Sequence, residues 1–311
     1  MLNTNRKYID FDMEKYKNNL KRNPEDIVSM NELGRLLIAS ERYVEAEAMF
    51  HRILEIDPKN TIAMNELGRL LIVTSRYEEA RSMFHYILEI DPKNTIVMNE
   101  LGRLLVTLKQ YTEAEAIFRH ILEIDPKNTI AMNELGRLLV ALKRYTEAEA
   151  IFHHILEIDP ENTIVMNELG RLLVASERYA EAEAIFHHIL KIDSQFLPAI
   201  IDYGRLLVIR RQYSKAEYLL QYALEIFPQN ILLLNELTNL FIVIGEIEKA
   251  KQSIYLILSL DPANIRALIN LSQIFLAEKK YHKALDILEQ ATKISPTNSE
   301  IIKLKKHICE T

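Results

Sequence analysis

The sequence predicts an all-α fold, a solenoid of stacked helix–turn–helix repeats, and three observations carry that prediction. Pro24, Pro58, Pro92, Pro126, Pro160, Pro228, Pro262 and Pro296 fall on one 34-residue phase, broken only at Ser194. Gly34, Gly68, Gly102, Gly136, Gly170 and Gly204 hold a second phase of the same period. A fixed period of this length marks supersecondary units that bury their apolar faces against one another. The third observation is scarcity: 7 Gly and 9 Pro in 311 residues are too few turn-makers for the hairpins of a sandwich, barrel or propeller.

Ending each unit two residues after its Pro gives eight repeats: 27–60, 61–94, 95–128, 129–162, 163–196, 197–230, 231–264 and 265–298. Residues 1–26 are then an N-terminal segment with a capping helix, and 299–311 a C-terminal capping helix. The third and fourth units differ only at Val97/Ala131, Thr107/Ala141, Gln110/Arg144, Arg119/His153 and Lys127/Glu161, the mark of recent duplication. Drift begins at residues 194–198.

Within a unit the pattern is two amphipathic helices. In the fourth, Met132, Leu135, Leu138 and Leu139 recur at helical spacing, followed by Ala148, Ile151, Phe152, Ile155 and Leu156. Lys143-Arg144-Tyr145 is the expected turn between them. Thr146-x-x-Glu149 is expected to open the second helix as a capping box, like Thr112-x-x-Glu115 and Ser214-x-x-Glu217. Asp159-Pro160 ends that helix, because Pro lacks an N–H and disfavours a helical residue before it. Asn162-Thr163 supplies the next N-cap. At the chain ends, Phe11, Met13, Tyr16 and Leu20 predict a lone capping helix over residues 10–23. Ile301 and Ile308 are expected to meet the preceding repeat, with Lys305, Lys306 and Cys309 where a further helix would pack. These ends predict a complete array.

Composition removes other classes. An apolar content of 49% and a net charge of -6 do not suit a disordered chain and give no general attraction to nucleic acid or anionic lipid. No apolar run exceeds five residues, so a membrane span is not expected, and residues 1–7 lack the apolar core of a signal peptide. Cys309 is the single Cys and has no internal disulfide partner, which fits a reducing, cytoplasmic setting.

The repeat resembles the tetratricopeptide repeat over residues 27–298. In the second unit Met64, Leu67-Gly68, Ala80, Phe84, Ile87 and Pro92 stand where that family has a large residue, Leu-Gly, Ala, Phe, Ala and Pro. Met replaces Trp at the first of these positions, and Ile replaces Ala at the fifth. The resemblance implies a right-handed superhelix and a non-enzymatic protein-interaction module whose first helices line a concave groove. It also implies that the Gly marks a close crossing of the two helices.

In that family the second, fifth, sixth, ninth, twelfth and thirteenth positions of a repeat point into the groove. The fifth is Asn31, Asn65, Asn99, Asn133 and Asn167, then Ile201, Asn235 and Ile269. The ninth is Arg35, Arg69, Arg103, Arg137, Arg171 and Arg205, then Asn239 and Gln273. Four residues apart, Asn and Arg share a helix face. Ile62, Ile96, Ile130 and Ile164 flank them on one side, and Ile72, Val106, Val140 and Val174 on the other. Asn carries a donor and an acceptor, as a peptide group does, and so suits main chain of any sequence. With helices 8–10 Å apart and about 3.3 Å per extended residue, one Asn meets roughly every third residue of a bound segment. Arg adds a donor fork matched to carboxylate. The expected partner is a protein or peptide segment, acidic or with a free C-terminal carboxylate.

Two alternatives stand beside that expectation. Glu32, Glu66, Glu100, Glu134 and Glu168 occupy the sixth position, three residues before each Arg, so Glu and Arg can neutralise each other on a solvated surface copied by duplication. Those Glu, with apolar residues at the second position, also exclude the family's clamp for chaperone tails. The alternative function is a self-assembling scaffold that uses the outer face or the terminal helices.

No metal, cofactor or catalytic role is expected. His51, His85, His120, His153, His154, His187 and His188 lie in second helices, where adjacent pairs diverge around the axis and do not converge on an ion. Arg210-Arg211 and Lys303-x-Lys305-Lys306 read as solvated turns and helix ends rather than nucleic-acid sites. Tyr43, Tyr77, Tyr111, Tyr145, Tyr179, Tyr213 and Tyr281 recur at the inter-helix corner as packing residues. There is no phosphate-binding Gly loop, nucleophile elbow or His-Glu-x-x-His spacing.

Overall fold

A computed structural model describes the backbone of residues 2–309 and the side chains of residues 11–308. Among the described residues every regular element is an α-helix. The chain forms two compact units, Met1–Ile158 and Asp159–Thr311. The first holds α1 (Leu2–Arg22), α2 (Ile27–Ala39), α3 (Tyr43–Ile56), α4 (Thr61–Val73), α5 (Tyr77–Ile90), α6 (Thr95–Thr107), α7 (Tyr111–Ile124), α8 (Thr129–Ala141) and α9 (Tyr145–Ile158). The second holds α10 (Thr163–Ala175), α11 (Tyr179–Ile192), α12 (Leu197–Ile209), α13 (Tyr213–Ile226), α14 (Ile231–Ile244), α15 (Ile247–Leu260), α16 (Ile265–Ala277), α17 (Tyr281–Ile294) and α18 (Ser299–Cys309). Both are all-α repeat solenoids in which each helix packs on its sequence neighbours within the unit.

First helices begin where the repeat register places them, and their caps explain why. Asn60, Asn94, Asn128 and Asn162 accept through Oδ1 from the backbone N–H three residues on, at 2.9–3.1 Å. The preceding helix is stopped by an Asp that binds its own turn. Asp57 accepts from the N–H of Lys59 (3.2 Å) and from Nδ2 of Asn60 (3.1 Å) around Pro58.

Second helices open differently from expectation. Thr112, Thr146 and Ser214 are already the second residues of helices that start at Tyr111, Tyr145 and Tyr213, so they cap nothing. Gln110 and Gln212 hold the cap position without a side-chain hydrogen bond. The reason is a left-handed residue in each corner, Lys109 (φ 61), Lys143 (φ 60) and Arg211 (φ 57). It reverses the chain in few residues and restarts the helix two places early, so Tyr145 is helical and outside the turn. Where the cap position is Arg, charge replaces the cap. Arg144 donates from Nε and Nη2 to the two oxygens of Glu147, both at 2.7 Å, and from Nη1 to Glu115 of the preceding repeat at 2.7 Å.

The core sits between the paired helices. Phe50, Phe84, Phe118, Phe152 and Phe186 are fully buried, each over the Gly of its own first helix. At the N-terminus α1 begins at Leu2, well before the expected residue 10. Met13 is buried, but Phe11 is 72% exposed. Two helical residues turn about 200°, which puts Phe11 on the far side from Met13, Tyr16 and Leu20. Asn19 donates to Ser29 Oγ at 3.1 Å and ties α1 to α2. At the other end Ile301 is buried with Leu268, Ile269, Leu288 and Ala291, and Leu304 and Ile308 pack against the same cluster. Lys305 is half-buried and Lys306 exposed, while the side chain of Cys309 lies outside the described residues.

Candidate protein-binding face

The second position of the first helices is bare. Ile62, Ile96 and Ile130 are 60%, 68% and 63% exposed, although the residues that follow each of them, Ala63-Met64, Val97-Met98 and Ala131-Met132, are buried. The branched side chain therefore lies on the solvent side of the stripe that packs inward, on the same helix face as the ninth-position Arg two turns further on.

Those Arg side chains form a charge ladder. Arg35 donates from Nε and Nη2 to Glu66 Oε1 of the next repeat (2.9 and 2.7 Å) and from Nη1 to Glu32 of its own helix (3.1 Å). Arg69 lies 3.5 Å from Glu66 and 3.7 Å from Glu100. Arg103 lies 4.0 Å from Glu100 and 3.6 Å from Glu134, and Arg137 3.9 Å from Glu134. In the second unit Arg171 stands between Glu168 (3.6 Å) and Asp202 (3.8 Å), and Arg205 between Asp202 (3.2 Å) and Glu236 (2.6 Å). Hydrogen bonds to Glu66 and Glu236 hold the protons of Arg35 and Arg205 more tightly than usual, against the cost of partial burial.

The intrahelical half of this ladder was visible as an i,i+3 spacing. The inter-repeat half was not, nor was the burial of its acids. Glu66 is only 4% exposed and Glu236 7%, and a carboxylate that deep needs a paired cation. The signal was the register itself, since a sixth-position acid always follows a ninth-position Arg one repeat earlier. Among the described residues six Arg stand against seven acids, and the row presents no open strip of cations to an acidic ligand.

The Asn side chains are turned further inward than their spacing implied. Oδ1 of Asn31, Asn65, Asn99, Asn133, Asn167 and Asn235 is buried without a hydrogen-bond partner among the described residues. Asn99 donates from Nδ2 to the Thr95 carbonyl (2.9 Å), and Asn167 to Asp202 (3.0 Å). The acceptor of each carboxamide is thus closed to a ligand, which corrects the two-handed main-chain grip that Asn chemistry suggested. Asn99, Asn167 and Asn235 are buried as whole residues.

Arg35, Arg69 and Arg103 share one open pocket of about 520 Å³ with Glu66, Glu100, Ile38, Ile72 and Val73. Asn31, Asn65 and Asn99 do not line it. In the second unit Asn167, Arg171 and Arg205 line a pocket of about 500 Å³ with Ile164, Ile201 and Leu232. The opposite, second-helix face carries the His residues. His51, His153 and His187 are each more than half exposed, and each lies within 3.9 Å of a Glu one turn earlier. Among the described residues no three His, Cys, Asp or Glu gather as a metal site requires, and no helix is long and apolar enough to cross a membrane.

No curated protein matches this chain. Among solved structures it is similar to a tetratricopeptide repeat protein from Parabacteroides merdae ATCC 43184, at 18% identity and a TM-score of 0.64 over 80% of this chain and 98% of that one. It is also similar to yeast Tom70, at 17% identity and a TM-score of 0.72 over 91% of this chain and 60% of that one. A third is a thermophilic TPR protein in Thermus thermophilus, at 19% identity and a TM-score of 0.51 over 58% of this chain and 99% of that one. At such identities the likeness is one of fold. Family models described as tetratricopeptide repeat match residues 37–84, 71–138, 105–167 and 139–202, and residues 265–298. They cover well over half of the sequence with the repeat that the Gly and Pro phases define, and the chain belongs to the tetratricopeptide repeat family.

Proposed function

We propose that the first-helix face of this protein-interaction module holds an extended segment of a partner protein. Tetratricopeptide repeat chains are protein–protein interaction modules and generally non-enzymatic scaffolds. The observation that carries the reading is the row of Ile62, Ile96 and Ile130, more than half exposed on the first helices of three successive repeats. Scattered exposed apolar residues are ordinary, but an ordered row beside a polar ladder marks an interaction surface. Apolar side chains of the segment rest on that row. Each guanidinium has five N–H donors, and those its two carboxylates leave free meet main-chain carbonyls. Asn65, Asn99 and Asn133 contribute through Nδ2. Because each Arg already faces acids of the protein's own, the ladder grips main chain without demanding an acidic sequence.

The test is the affinity of a peptide selected from a displayed random library against the full chain. Ile62→Ser, Ile96→Ser and Ile130→Ser together weaken it at least about ten-fold, the loss expected from removing burial of three branched side chains; unchanged affinity removes the reading. Self-assembly has one observation in its favour: Tyr218, 75% exposed, stacks on Tyr222 with centroids 6.5 Å apart. Light scattering across a concentration series separates the two, and a monomer throughout ends the scaffold reading.

A further inference from the structure

The sixth repeat brings three changes together on its second-helix side. The seventh position of the repeat is Leu in the seven other repeats and Tyr203 here. The twenty-second is Ala, Ser, Gln or Asp in the others and Tyr218 here. The nineteenth is Glu in the first five repeats and becomes Lys from Lys215 onward.

Tyr203, Tyr218 and Lys215 line one open pocket of about 350 Å³ with Leu207, Ser214 and Leu219. Its inner wall is fixed. The hydroxyl of the buried Tyr203 donates to Glu183 Oε1 at 3.1 Å and lies 2.8 Å from His187 Nε2, and Arg210 pairs with Glu183 in turn. A buried phenol needs such partners, and the His187 ring meets Tyr203 edge-on at 4.9 Å. Burial pushes the Tyr203 phenol up, which keeps it protonated. The outer wall is Tyr218, 75% exposed and stacked on Tyr222. In four of the first five repeats the nineteenth-position Glu pairs with an Arg of its own corner. The sixth repeat has Gln212 in that corner, and the exposed Lys215 side chain makes no ion pair or hydrogen bond among the described residues.

We infer that this pocket is a second docking site, on the second-helix face, for a partner segment that inserts one aromatic side chain next to an acidic residue. Two Tyr rings offer faces and edges to a third ring. The free ammonium of Lys215 is the charge that a neighbouring carboxylate complements. Because hydrogen bonds already hold Tyr203, ordering that wall adds no cost on binding. The site uses no residue of the Ile62, Ile96 and Ile130 row, so it stands apart from the groove reading.

The chain has no Trp, so a Trp probe reports only its own surroundings. Acetyl-Gly-Asp-Trp-Asp-Gly-amide is titrated with the full chain and followed by the fluorescence anisotropy of its indole. Saturable binding is expected. The counterpart with Asn for both Asp binds about two- to five-fold more weakly, the range of an exposed ion pair. Since the chain carries a net charge of -6, preference for the acidic peptide marks a local cation. Tyr218→Ser weakens binding at least about ten-fold through lost ring contact and burial. Lys215→Glu, which restores the residue of the first five repeats, removes the preference for Asp over Asn. Both side chains are exposed, and an unchanged urea midpoint checks that each variant is folded. No saturable binding, equal binding of the Asn peptide, or affinity retained in Tyr218→Ser overturns the inference. So does an oligomer in light scattering that Tyr218→Ser disperses, because a second copy then fills the pocket. The Ile62→Ser, Ile96→Ser and Ile130→Ser chain keeps its affinity for the probe; a loss there places the probe in the groove and equally removes the inference.

Discussion

Gly68 lies so close to Phe84 that a Cβ on it would stand 2.5 Å from Cε1 of the ring. The same approach recurs at Gly34, Gly102, Gly136 and Gly170, each within 2.7 Å of its Phe. The second helix leans onto the first through a ring that replaces the missing side chain, which is why the two residues repeat in step. Gly68→Ala forces the ring aside and destabilises by about 1–3 kcal/mol. Phe84→Ala leaves a cavity and costs about 3–5 kcal/mol. In the sixth repeat Gly204 faces Leu220 instead, with a Cβ 2.9 Å from the flexible Cδ2. Phe84→Leu therefore reduces the cost of Gly68→Ala, and a double-mutant cycle in urea reads the coupling.

The inter-helix corners store strain that the seventh repeat avoids. Glu41, Ser75, Lys109, Lys143, Glu177, Arg211 and Lys279 all have φ near 60°, whereas Gly245 fills that corner in the seventh repeat at φ 83. A left-handed non-Gly residue costs about 1–2 kcal/mol, partly offset by the greater chain entropy that Gly loses on folding, about 0.5–1 kcal/mol. Lys109→Gly raises stability by roughly the difference, ~0.5–1 kcal/mol. Thermal unfolding of that variant beside the parent measures it.

Removing rungs of the ladder separates the buried acids from the exposed ones. Glu66 is almost fully enclosed and receives Arg35 at 2.7 Å, so Glu66→Ala costs about 1.5–3 kcal/mol, the range for hydrogen bonds to charged groups. Glu32 is more open and pairs with Arg35 in an exposed i,i+3 contact, so Glu32→Ala costs about 0.5 kcal/mol or less. Urea unfolding of the two variants reads the contrast, and equal losses would mean that the inter-repeat rung contributes nothing special.

Acid weakens the second-helix starts. Hydrogen bonds from Arg42, Arg76, Arg144 and Arg178 hold Glu45, Glu79, Glu147 and Glu181 below the ordinary carboxylate value of 4.5. A carboxylate whose folded pKa is depressed stabilises the fold above the unfolded value, and that stability is lost as pH falls through the lowered folded values. The urea midpoint is thus flat from neutrality to about pH 5 and declines below it. Arg76→Gln combined with Arg144→Gln makes the decline shallower, as urea titrations at a series of pH values will show.

Much of the fold was legible because duplication wrote it down in one register. The first-helix starts at Thr61, Thr95, Thr129 and Thr163 follow from Asn caps and Asp-Pro stops, both local chemistry carried by the residues involved. The second-helix starts did not follow, because Lys109 and Lys143 carry no mark of a left-handed conformation that Gly would have advertised. Phe11 was grouped with Met13, Tyr16 and Leu20 as marks of the capping helix, although its angle to Met13 leaves it exposed. On the candidate face the spacing placed Arg35, Arg69 and Arg103 together. Their pairing across repeats and the inward turn of the Asn carboxamides depend on neighbouring helices that no single-helix pattern contains.

Crosslinking decides which face receives a partner. The full chain carries a photoreactive residue at Ile96, on the first-helix face, or at His85, exposed on α5, and is irradiated with a peptide selected against the unmodified protein. The chain modified at Ile96 forms the adduct and the chain modified at His85 does not. An adduct from His85 with none from Ile96 would contradict the first-helix face as the binding surface.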